Sequence, residues 1–129
     1  MKLGEAILER DGLDEHLKTL EIRVEYQYSK DTSADLQKTA NRVRDLNVAI
    51  SWTESQVSLS GLPLSAYRHR IDMLRRLAKA LESNDSEKAD TLWESAHNDH
   101  KVLSAATWLV DLQIPKVDPA KSETKEVER

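Results

Sequence analysis

The chain has 129 residues, 39% of them hydrophobic and 33% charged, enough for one domain with a buried core. Against 23 acidic residues stand 19 basic ones, a formal charge of -4, so no global field draws the protein toward nucleic acid or an anionic membrane. Cysteine is absent, which removes disulfides, thiolate nucleophiles and thiolate metal sites together. No apolar run approaches the ~18 residues needed to cross a bilayer. Glu5, Glu9 and Asp11 interrupt the stretch that a signal peptide would keep apolar. These features predict a cytoplasmic protein without a membrane span.

Glycine and proline are scarce, three of each, and the apolar residues recur at helical spacing. Leu3, Ala6, Ile7, Leu13, Leu17, Leu20 and Val24 predict a first helix over residues 2–28, continuous through Gly12 at a cost of about 1 kcal/mol relative to alanine. The polar run Ser29 to Ser33 supplies a turn and a cap. Leu36, Thr39, Val43, Leu46, Ile50 and Val57 then place a second helix over 33–58. Gly61 and Pro63 end it.

Tyr67, Ile71, Leu74, Ala78 and Leu81 form the stripe of a third helix, 65–82. Asn84 and Glu87 resemble a capping pair opening a fourth, 85–113, with Ala89, Leu92, Ala96, Leu103, Thr107 and Val110 on one side. The short link between these two helices predicts an antiparallel hairpin. Residues 115–129 balance four basic against four acidic side chains with little apolar content, the composition of a mobile charged tail following a helical domain over 1–114. The expected fold class is all-α, with long antiparallel helical hairpins forming a four-helix bundle or an oligomeric helical assembly.

A helical wheel exposes surplus apolar surface. Val48, Trp52 and Leu59 align nearly opposite the main stripe of the second helix, and the end of the fourth is apolar almost all round, including Trp108, Leu109 and Leu112. Part of this surface can pack inside a bundle; the remainder predicts a homo-oligomer or a protein partner, anchored by Trp52 and Trp108.

Candidate chemistry is sparse. Glu94, His97 and His100 follow one another at three-residue steps, a weak metal-ligand spacing. A carboxylate-bridged dimetal bundle would need a second Glu-x-x-His helix, which the sequence lacks, and a hydrogen-bonded histidine accounts for His100 equally well. There is no phosphate loop and no nucleophile elbow, so no catalytic residue and no cofactor is assigned. In the third helix, Arg68, Arg75 and Lys79 fall within about 40° of one another, while Arg70 points into the apolar arc beside Leu77 and Leu81. Two accounts fit. In one, Asp72 pairs Arg68 or Arg75 and Arg70 snorkels at the bundle edge. In the other, these groups hold an anionic small molecule such as a nucleotide. Duplex binding is disfavoured by the surrounding acids.

The segments Leu46 to Thr53, Leu59 to Leu64 and Arg70 to Arg75 together resemble the central part of the septicolysin-like family of small helical proteins. The opening Met1 to Arg10 and the late Ala105 to Leu112 are similar to that family's two ends. The resemblance implies a helical architecture. The Arg- and Tyr-rich insert that such proteins often carry between the third and fourth helices has no counterpart here, and Gly12 departs from a good helix former. A lytic activity, which the family name suggests, has no support in a membrane-length segment of this sequence.

These readings combine into one expectation, a non-enzymatic helical protein that self-assembles or binds a protein partner. An oligomeric binder of an anionic small molecule is the first alternative and a metal-dependent enzyme the second.

Overall fold

The structure is a computed structural model describing residues 1–115; beyond Pro115 the expected tail lies outside the described residues. Four helices carry the fold: α1 (Leu3–Tyr26), α2 (Lys30–Gln56), α3 (Leu64–Leu81) and α4 (Ser86–Thr107). Between α2 and α3 sits a minimal antiparallel hairpin of β1 (Ser58–Leu59) and β2 (Leu62–Pro63). The first helix runs through Gly12 without a break.

Every position of the four apolar stripes is buried or half-buried. α1 packs along α2, and α3 along α4, as two antiparallel hairpins. The hairpins meet where the start of α1, the end of α2, the start of α3 and the end of α4 converge. Leu3, Ala6, Leu46, Ile50, Leu64, Tyr67, Ile71 and Leu103 form the shared core there. Away from it the helices pack in pairs. Arg42 Nε donates to Glu9 Oε2 at 2.7 Å and Arg10 Nη1 to Asn47 Oδ1 at 3.3 Å, holding the register of α1 on α2.

Local chemistry sets the boundaries, and several differ from those expected. α2 begins three residues earlier than residue 33, because the Ser29 hydroxyl accepts from the Thr32 amide at 3.1 Å and caps it. α4 is capped by Asp85 rather than Asn84; its carboxylate accepts from the Lys88 amide at 3.2 Å. The second helix stops at Gln56 instead of continuing to 58. Ser60 (φ 54°) and Gly61 (φ 80°) both have positive φ, the geometry of a two-residue primed turn whose twist matches that of the paired strands. That turn folds Leu59 and Leu62 onto the shared core.

The largest departure is at the end of α4, which stops at Thr107 and not near 113. Residues 110–113 find other backbone partners. The Leu3 amide donates to Val110 O at 2.8 Å, satisfying one of the free N–H groups at the start of α1. The Leu112 amide donates to Met1 O at 2.8 Å, and the Gln113 amide to the buried Thr53 hydroxyl at 2.8 Å. The chain's opening residues and the segment after α4 are thereby laced together beside α2.

Candidate functional site

Of the residues predicted to form an interaction surface, Val48 and Trp52 stay on the outside of α2, 54% and 43% exposed. Val48 is a ridge between two grooves. One, of about 490 Å³, runs past Asn47, Ser51, Trp52 and Ser55 to Pro115. The other, of about 370 Å³, lies between α2 and the segment carrying Leu112, Ile114 and Pro115. Ile114, 76% exposed, extends the apolar patch. Leu59 and Leu112 do not join it as free surface, because both are half-buried against the shared core. The β-turn draws Leu59 inward, and the backbone bond to Met1 draws in Leu112.

Trp108 occupies a different place. Its indole lies flat on Gly4, so close that a Cβ at position 4 would stand 2.7 Å from the ring. A glycine in the first turn of a helix is therefore required by close approach, a signal that spacing arguments pass over. Beside this contact is a cleft of about 170 Å³ built by both hairpins. Ile7 and Leu8 of α1, Arg68 of α3, and His100, Leu103 and Ser104 of α4 line it. Leu109, next to Trp108, is exposed.

The helix-3 basic groups do not converge. Arg68 turns toward α2, where Nε donates to the Glu54 carboxylate at 3.0 and 3.2 Å and Nη2 completes a two-pronged pair. Glu54 is buried, so the arginine neutralises a carboxylate that would otherwise lack its counter-charge. Arg70 turns toward α4 and donates to Asp99 through Nε at 2.7 Å and Nη2 at 3.0 Å, with its guanidinium 4.8 Å from the Tyr67 ring centre. The Asp99 hydrogen bonds raise the Arg70 pKa above its ordinary value, and burial opposes them. Asp72 makes no ion pair with Arg68 or Arg75. It shares an open groove with His69, Met73, Arg75 and Arg76, and Lys79 follows one turn after Arg75. Two of the four expected anion ligands are thus engaged internally on different sides of α3.

The weak metal alternative fares no better. Among the described residues no three carboxylate, histidine or cysteine side chains gather as a metal-holding group, so Glu94, His97 and His100 do not converge. His100 instead lines the Trp108 cleft, exposed rather than enclosed. No described helix is long and apolar enough to cross a membrane.

Sequence reasoning missed Thr53 and Glu54, buried polar residues at the end of α2. Their positions border the main stripe, but their partners Gln113 and Arg68 lie 60 and 14 residues away in sequence. Comparison with protein-family models, curated proteins and solved structures found no match.

Proposed function

We propose that this protein is a non-enzymatic helical interaction module that self-assembles by burying the outer face of α2. The observation supporting this reading is the Val48 and Trp52 ridge, exposed on a helix whose other face is already covered by the core. A tryptophan beside an aliphatic side chain, bordered by the polar groups Asn47, Ser51 and Ser55, has the make-up of an interface anchor with a wettable rim. Multi-angle light scattering of the full chain at micromolar concentrations tests it: a species larger than 14.7 kDa is expected, and a monomer at every concentration would remove the reading.

A second reading is favoured by the cleft beside Trp108. Arg68, whose Nε and Nη2 bond Glu54, lines the cleft together with His100 and Ser104, and Ile7, Leu8 and Leu103 supply apolar wall. This arrangement suits a small anionic molecule with an apolar body better than a nucleotide, whose phosphates would compete with Glu54 for the same guanidinium. Native mass spectrometry of the purified protein tests it, a retained small molecule supporting the reading and a ligand-free mass opposing it.

A further inference from the structure

The two helical hairpins meet at one end, and the contacts that join them link the chain before residue 57 to the chain after residue 63. Arg68 bonds Glu54, and the Gln113 amide bonds the Thr53 hydroxyl. The Leu3 amide donates to Val110 O, the Leu112 amide to Met1 O, and Trp108 lies on Gly4. The shared core divides the same way, with four of its buried residues from each hairpin. What connects the hairpins covalently is the segment of β1 and β2, two residue pairs closed by Ser60 and Gly61. A primed turn with positive φ at both central positions favours Asn, Asp or Gly at the first. Ser60 holds that position at φ 54°, left-handed backbone that its side chain disfavours. The cost is present only while the turn is closed.

We propose that two copies of the chain exchange their α3–α4 hairpins by opening this turn, so that the α1–α2 hairpin of each copy closes on the α3–α4 hairpin of the other. The contacts named above re-form between chains, and Ser60 relaxes to extended backbone, which is why a short strained hinge favours exchange. Residues 57–63 reach at most about 23 Å when extended, so the two junctions of a pair stand within that distance. The cleft beside Trp108 is then shared. Gly4, Ile7 and Leu8 come from one chain and Arg68, His100 and Ser104 from the other, so a molecule seated there touches both copies. The exchange uses neither Val48 nor Trp52, and it stands or falls separately from the reading of the outer face of α2. Because the shared core must part first, folded chains keep their form in buffer and exchange where unfolding sets in.

Lys2 and Asp111 report which chain supplies which hairpin. They face each other as an antiparallel bridge flanked by the Leu3 and Leu112 hydrogen bonds, a pairing whose Cα atoms stand about 4.5 Å apart, within disulfide reach. The chain has no cysteine of its own, so any disulfide comes from introduced residues. Full-length Lys2→Cys and Asp111→Cys chains are mixed, held at the urea midpoint, returned to buffer and oxidised. Exchange links a Lys2→Cys chain to an Asp111→Cys chain in preference to either kind with itself, at twice 14.7 kDa. Ser60→Asn, which suits the closed turn, lowers that yield by about tenfold. A chain carrying both Lys2→Cys and Asp111→Cys, refolded dilute, links within itself and shows that the pair can bridge. Such bridging without preferential linking in the mixture overturns the exchange and leaves the α2 reading to its own sedimentation test. Deleting Ser60 and Gly61 provides a second measure, since a chain unable to make the turn is expected as a pair with wild-type helicity. A helical monomer of that variant overturns the proposal whatever the cysteines do.

Discussion

Thr53 and Gln113 are joined across 60 residues of sequence by a hydroxyl with no solvent exposure. The Thr53 Oγ proton points to the Ala49 carbonyl 2.7 Å away in the preceding turn of α2, and the oxygen accepts the Gln113 amide at 2.8 Å. One small side chain thus caps its own helix internally and fixes the segment that follows α4. Thr53→Val keeps the shape and removes the acceptor. It is expected to lower stability by about 1–2 kcal/mol in urea denaturation and to speed hydrogen exchange at the Gln113 amide. An unchanged Gln113 exchange rate would show that the segment is held elsewhere.

The glycines of α1 have opposite requirements. Nothing lies within 4 Å of a Cβ at Gly12, so Gly12→Ala is expected to raise stability by about 0.5–1 kcal/mol through helix propensity alone. At Gly4 the added methyl collides with the Trp108 ring. Gly4→Ala should therefore displace the indole, seen as a shift in tryptophan emission, and destabilise the fold. Thermal unfolding of the two variants side by side separates the effects.

The two arginine pairs differ in burial, and so in consequence. Arg68→Ala leaves Glu54 buried without its cation and is expected to cost on the order of 2 kcal/mol, below the ~3–5 kcal/mol of a fully enclosed pair because Arg68 is itself partly hydrated. Arg70→Ala releases Asp99 on a more open surface and should cost about 1 kcal/mol or less. Equal losses on chemical denaturation would contradict this ranking.

The ion pair between Lys2 and Asp111, 2.9 Å long, sits at the junction of the chain's opening residues with the segment after α4. The hydrogen bond from Lys2, aided by its charge, holds the Asp111 carboxyl below its usual pKa. A depressed folded-state pKa favours the native state above the unfolded value, near pH 4, and that contribution is lost as pH falls through the folded value. Protection of the Leu112 amide, taken relative to intrinsic exchange at each pH, should accordingly fall below about pH 4 in the wild type. Asp111→Asn should remove that change in protection. Both residues are well exposed, so the effect is local opening and not global unfolding.

The apolar stripes were legible in the sequence because period alone decides which side of a helix is covered. Val43, Leu46, Tyr67, Ile71, Ala78, Ala96 and Leu103 are all buried where the spacing puts them. The end of α4 was not legible. Residues 108–113 continue an apolar helical pattern up to Pro115, and what ends the helix is the set of partners offered by the backbone of Met1 and Leu3 and by the Thr53 hydroxyl. The arginines show the same division. A wheel gives the direction in which Arg68 and Arg70 leave α3, but only the packing of α2 and α4 reveals that Glu54 and Asp99 are waiting there. In the outer face of α2 the sequence singled out Val48 and Trp52, whereas the grooves to either side depend on where residues 112–115 run.

Self-assembly through α2 is tested most directly by sedimentation equilibrium of the full chain and its Trp52→Ala variant over the same micromolar range. Trp52 is 43% exposed and outside the shared core, so its removal should leave the helical content intact. The expected result is a wild type heavier than 14.7 kDa that the substitution shifts toward the monomer, while a wild type sedimenting at 14.7 kDa throughout, or an assembly indifferent to Trp52→Ala, would contradict it.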